Sequence, residues 1–134
     1  IKYLCTSPEK LKIKKKFDVV LNLEVIEHVD NLDLFIRKSS NFLKKDGIMF
    51  ISSINKTLKA YLFAIIGAEY VLRWLPIGTH DWNKFLTPQD LEIITNKNNF
   101  MYDDTVGVKF DLLSNKWDRS NDTSVNYIST FLKN

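Results

Sequence analysis

The chain has 134 residues, room for one domain with a real core and too little for two, since domains commonly run to roughly 100 to 150 residues. Its content of 45% hydrophobic, 13% aromatic and 26% charged residues excludes a disordered, collagen-like or low-complexity chain. A formal charge of +3 is too mild to specify a nucleic-acid partner. Four glycines, Gly47, Gly67, Gly78 and Gly107, stand no closer than eleven residues apart, so these residues contain no glycine-rich loop able to cradle a nucleotide.

The first residue is Ile1 rather than Met, which points to a chain beginning inside a longer ancestral sequence. Ile1 to Ser7 reads as a short strand. Cys5 is the single cysteine; it has no intramolecular disulfide partner and no second thiolate for a metal cluster, as suits a reducing compartment. Without the charged, apolar and small-residue succession of a secretion signal, a cytosolic protein is expected. Lys10, Lys12, Lys14, Lys15 and Lys16 fall within seven positions. They form either a surface for an anionic partner or a solvated loop leading into a strand, and the lack of aromatics interleaved with them argues against nucleic acid.

Phe17 to Leu23 is nearly continuous in apolar character, like a parallel strand buried on both faces. Beyond Asp30, a capping-type residue, Leu32, Phe35, Ile36, Phe42 and Leu43 fall mainly at helical spacing. Lys44 and Lys45 suit the negative helix end, and Gly47 stops it. Ile48 to Ser52 is another apolar strand, and strand, helix, strand is the right-handed crossover unit of a parallel α/β sheet. From Leu58 to Leu75 the only charges are Lys59, Glu69 and Arg73. That run is a poor spanning helix, because a bilayer core takes about twenty mostly apolar residues. With Tyr61, Tyr70 and Trp74 it reads either as a helical pair covering the sheet or as a surface touching a membrane. Residues 56–86 thus form an apolar helical insertion ending in the polar and aromatic loop Thr79-His80-Asp81-Trp82. Thr87-Pro88-Gln89-Asp90 opens a helix to about Asn98, with Thr as cap and Pro in the first turn. Val106 to Leu112 and Ser124 to Leu132 read as strands, an antiparallel edge on an otherwise parallel sheet.

Chemistry concentrates after the strand that ends at Leu23. Ligands of open α/β sheets bind at the carboxyl ends of strands, and Glu24, Glu27 and His28, if helical, point to one side. They could hold a hard divalent cation such as Mg²⁺, serve as acid, base and hydrogen-bond partner, or simply cap and pack. A hydrolase is a poor fit, because no serine sits in a nucleophile elbow and neither histidine is near Cys5 in sequence.

Phe17 to Val29, followed by Phe42-Leu43-Lys44-Lys45-Asp46-Gly47, resembles the fourth-to-fifth strand region of class I S-adenosylmethionine-dependent methyltransferases. Ser53-Ile54-Asn55-Lys56-Thr57, Gly67 to Arg73, Pro76 to Phe85 and Val125-Asn126-Tyr127 are similar to the ubiquinone-biosynthesis O-methyltransferases, so the resemblance covers essentially the whole chain. It implies a single partial domain over 1–134: the C-terminal portion of a Rossmann-like sheet, parallel strands flanked by helices with an antiparallel edge strand. Leu23 and Ser7 would contact the S-adenosylmethionine cofactor. Glu24, Glu27 and His28 would hold Mg²⁺, and His80 and Asp81 would act as base, line the substrate mouth, or order the loop through a hydrogen bond. The substrate class would be a polyprenylated catechol or quinol, met at the inner face of an anionic membrane by the 56–86 insertion. The family's glycine loop and ribose-binding acid have no counterpart in these residues, so the chain alone is expected to be weakly active or inactive unless an N-terminal fragment complements it. A non-catalytic membrane-peripheral or assembly protein is the competing reading.

Overall fold

The computed structural model describes residues 1–8, 10–111 and 114–134. Among them, β1 (Phe17–Leu23), β2 (Leu43–Ile54), β3 (Phe100–Asp111), β4 (Lys116–Ser120) and β5 (Asn126–Lys133) form one sheet in the order β1-β2-β5-β3-β4. β1 and β2 are parallel, joined by α1 (Leu32–Ser40), as the crossover pattern predicts. The remaining pairings are antiparallel. The α/β class therefore holds, with one difference in layout: β5 is not at the edge but lies between β2 and β3, and β4 forms the border.

Two helices cover one face of this sheet. α1 is capped by Asn31, whose side chain accepts from Leu34 N–H at 2.9 Å, one residue later than the Asp30 cap expected. α3 (Pro88–Lys97) opens on a reciprocal Thr87–Asp90 capping box with Pro88 in its first turn, which pairs otherwise orphaned amides. Phe35 and Ile36 of α1 and Leu91 of α3 bury against Met49, Ile51, Phe100, Tyr127 and Phe131 of the sheet.

Three local expectations change. Ile1–Ser7 forms no strand and is exposed, since a strand needs a hydrogen-bonded neighbour and no strand of the described residues adjoins it. α1 ends at Ser40, and Leu43 to Asp46 already belong to β2. Gly47 is thus a strand residue, placed where pairing jumps from Phe17↔Leu43 to Val19↔Ile48. A Cβ there would stand 3.0 Å from Leu43 Cδ2, 3.0 Å from Lys44 O and 3.1 Å from Asp18 O, so a side chain would crowd this bulge. The strand expected over Val106 to Leu112 is the later part of β3; its last expected residue, Leu112, lies outside the described residues.

The apolar run forms one helical segment instead of a pair: α2 (Leu58–Ala60), capped by Thr57, continues as a π-helix over Tyr61–Val71. Ala60 and Ile65 bury against Ile54 and Phe85 in a second small core, while Leu58, Phe63, Tyr70 and Val71 stay exposed. No helix among the described residues is long and apolar enough to cross a membrane.

Candidate active site

At the carboxyl end of β1 the backbone turns abruptly: Glu24 takes φ of 51°, a left-handed conformation uncommon for a side-chain-bearing residue. The turn is held by β2. Glu24 N–H donates to Ser52 Oγ at 3.0 Å, and the Ser52 hydroxyl donates to Glu24 Oε1 at 2.6 Å. A single 3-10 turn, Ile26–His28, then carries Glu27 inward. Glu27 is 3% exposed, and the Ser53 hydroxyl donates to its Oε2 at 2.9 Å. Two successive residues of β2 therefore hold the two carboxyl groups.

The electrostatics follow from this placement. Loss of surrounding water pushes the Glu24 carboxyl above its ordinary range, and Glu27's charge and hydrogen bonding add to it; the Ser52 hydrogen bond pulls the other way. Tyr127, fully buried with its hydroxyl donating to Leu86 O at 3.1 Å, has its phenol pushed well above the usual range by burial first and then by Glu27, Glu24 and Asp90. Glu24 and Glu27 thus form an interacting pair next to a buried tyrosine.

Across from them lies the loop after the π-helix. Glu69 of that helix is 1% exposed. Its Oε2 accepts from Gly78 N–H at 2.6 Å, and its Oε1 accepts from His80 N–H at 2.9 Å and contacts His80 Nδ1 at 2.8 Å. Burial opposes its charge, but these donors outweigh burial and hold its carboxyl below the ordinary range. Gly78, at φ of 86°, supplies the backbone sense that this loop needs. The His80 ring lies 6.4 Å from the His28 ring and 6.0 Å, edge on, from that of Phe85.

Glu24 and Glu27 stand three residues apart on the turn after β1, and His80 faces that turn from the loop after the π-helix. His28, like Glu24, is exposed; the 3-10 turn spans only Ile26–His28 and leaves Glu24 outside it, so the helical geometry that would align all three is not formed. Among the described residues no group of three or more His, Cys, Asp or Glu side chains is arranged to hold a metal ion. The oxygen donors of Glu24 and Glu27 suit a hard divalent cation, and a cation would relieve the charge that each imposes on the other. Asp81 caps the short turn Trp82–Lys84, its Oδ1 accepting from Asn83 N–H at 2.9 Å. Leu23 ends β1 with its side chain exposed. Ser7 lies in an exposed turn outside the sheet, its carbonyl accepting from Lys10 and Leu11 N–H. The five lysines are exposed on the segment entering β1.

Ser52, Ser53, Glu69 and Tyr127 have no site role in the sequence reading, although Ser53, Glu69 and Tyr127 lie inside segments that carry the family resemblance. Both serines sit in an apolar strand where nothing marks a hydroxyl as a ligand for carboxylates 26 to 28 residues earlier. The one usable signal was Glu69, a carboxylate inside an otherwise apolar helical run.

The Methyltransferase domain family model matches residues 5–104. The chain is 59% identical over 134 residues to the ubiquinone biosynthesis O-methyltransferase of Pelagibacter ubique, covering 100% of this chain and 56% of that protein. It is 47% identical over 129 residues to the protein of the same name from Bartonella quintana, covering 96% and 52%. The chain thus spans about half the length of these relatives. Among solved structures, a SAM-dependent methyltransferase from Thermotoga maritima is similar with TM-score 0.69 and 17% identity, over 98% of this chain and 63% of the other. Magnesium protoporphyrin IX methyltransferase from Synechocystis, with bound SAH, gives TM-score 0.61 and 16% identity, over 96% and 49%. At such identities these two likenesses bear on the fold.

Proposed function

The chain belongs to the methyltransferase-domain family, and on that premise we propose that it is the C-terminal part of an S-adenosylmethionine-dependent O-methyltransferase of ubiquinone biosynthesis, acting on a polyprenylated catechol or quinol. The observation that carries this reading is 59% identity along all of its 134 residues to a relative of that name. The open carboxyl end of β1, bordered by exposed Leu23 and the sharp turn at Glu24, suits one wall of a cofactor site. The other wall, with the glycine loop, would come from an N-terminal part.

Bound S-adenosylmethionine supplies the electrophilic methyl group. The chain's own residues prepare the acceptor. Glu24 and Glu27 would hold a divalent cation, which lowers the pKa of a neighbouring hydroxyl, and His80, on the facing loop, accepts its proton. Alignment of the oxygen by these groups supplies much of the acceleration. The apolar residues exposed between Leu58 and Ile77 give a prenyl tail and an anionic membrane surface something to meet.

Calorimetric titration with S-adenosylmethionine tests this, with and without Mg²⁺ and with and without the N-terminal part of the Pelagibacter ubique relative. Heat only in the complemented sample, strengthened by Mg²⁺, is expected. The exposed apolar helix also favours a second reading, a non-catalytic protein peripheral to the membrane, which predicts liposome flotation and no heat in any sample.

A further inference from the structure

Glu69 has no part in the chemistry assigned so far, yet it is the most completely enclosed carboxylate among the described residues, its side chain 0% exposed. Burying a carboxylate is costly unless every lone pair finds a donor. Among the described residues its donors come from one short loop: Gly78 N–H, His80 N–H and the His80 ring. An ionised carboxylate only accepts hydrogen bonds, so Nδ1, at 2.8 Å from Oε1, is the ring nitrogen that carries the hydrogen. A neutral imidazole protonated at Nδ1 keeps its lone pair on Nε2. None of the described hydrogen bonds uses Nε2, and Phe85 packs edge on against the ring, which limits its rotation.

We propose that Glu69 is the positioning residue of His80: by taking the Nδ1 hydrogen it sets the tautomer and ring direction that leave Nε2 free to accept a hydroxyl proton of the acceptor substrate. The proton leaves the hydroxyl, its bonding pair stays on the oxygen, the Nε2 lone pair takes the proton, and the resulting imidazolium faces an ionised Glu69. Because Glu69 belongs to the π-helix Tyr61–Val71, the seating of the apolar helix and the orientation of the base are one structural event. The identity of the hydroxyl rests on the methyl-transfer reading above; the tautomer rests on the hydrogen bonds alone.

The test is long-range ¹⁵N–¹H correlation NMR of the two histidines in the 134-residue chain, read at a pH where the ¹⁵N shifts themselves report a neutral His80 ring, with His80→Ala for assignment. The expected result is a neutral His80 protonated at Nδ1. Glu69→Ala, with folding checked on the Tyr127 and Phe131 core signals, is expected to lose that Nδ1–H signal in favour of Nε2–H, with faster amide exchange at Gly78 and His80. Nε2–H in the unsubstituted chain, or Nδ1–H retained in folded Glu69→Ala, would overturn the proposal. The unsubstituted chain decides the question if the variant does not fold. Failed methyl transfer with the Nδ1–H tautomer intact removes the enzymatic reading and leaves the role of Glu69 in orienting the ring; the opposite pattern removes only that role.

Discussion

Glu69 and Glu24 are carboxyl groups on facing segments whose surroundings displace them in opposite directions from an ordinary value near 4.5. Glu69, with its folded value depressed, contributes stability that is present above pH 4.5 and lost as pH falls through the folded value. Glu24, with its folded value raised, favours the neutral form; that contribution is present below pH 4.5 and lost as pH rises through the folded value. Urea unfolding across the acid range is therefore expected to show Glu69→Gln approaching the parent chain as pH falls below 4.5. Glu24→Gln should improve relative to the parent as pH rises above it. Parallel curves for both variants would refute the assignment. Ser53→Ala leaves the buried Glu27 without its hydroxyl donor and should cost about 1 to 3 kcal/mol in the same measurement. Glu24 and Glu27 could be named from sequence because they stand at a strand end. Their serine partners, and the pairing of Glu69 with a loop eleven residues on, exist only once the chain is folded.

At the scale of elements, two glycines make predictions of unequal size. A Cβ at Gly107 would come 1.9 Å from Asp122 O, a backbone atom, where β3 pairs with both β4 and β5. Gly107→Ala should therefore cost more than the roughly 1 to 3 kcal/mol of ordinary overpacking, whereas Gly47→Ala should stay within it; equal effects on the urea midpoint would contradict this. Thr87→Ala removes one half of the α3 capping box and should cost about 1 kcal/mol. That cap was legible because it is local, with donor and acceptor within three residues. The end of α1 was not: apolar residues at helical spacing continue into Phe42 and Leu43, and it is the pairing of Leu43 with Phe17 that draws the chain into β2 there. β4 was missed for a related reason. Lys116 to Arg119 are exposed, so the segment carries no alternation, and its strand character comes from hydrogen bonds to β3.

Across the whole molecule, the described residues cover the sheet on one face only. α1 and α3 bury the side that carries Met49, Ile51 and Phe131. On the other, Val19 and Leu21 of β1 are exposed, and Phe50, Val106, Val108, Trp117 and Ile128 line an open groove. An apolar sheet face of this extent is expected to be covered by further structure, and relatives of which this chain spans 56% have the additional length to cover it. The five-strand order and this open face were beyond the sequence, since β5 enters the sheet between strands that precede it. The proposed activity is tested most directly by methyl transfer from labelled S-adenosylmethionine to a soluble catechol. The assay compares the chain alone, the chain with the N-terminal part of the Pelagibacter ubique relative, and the same mixture carrying His80→Ala. Transfer is expected only in the complemented sample, reduced about 10²- to 10⁴-fold by His80→Ala; robust transfer by the chain alone, or none after complementation, would contradict the account.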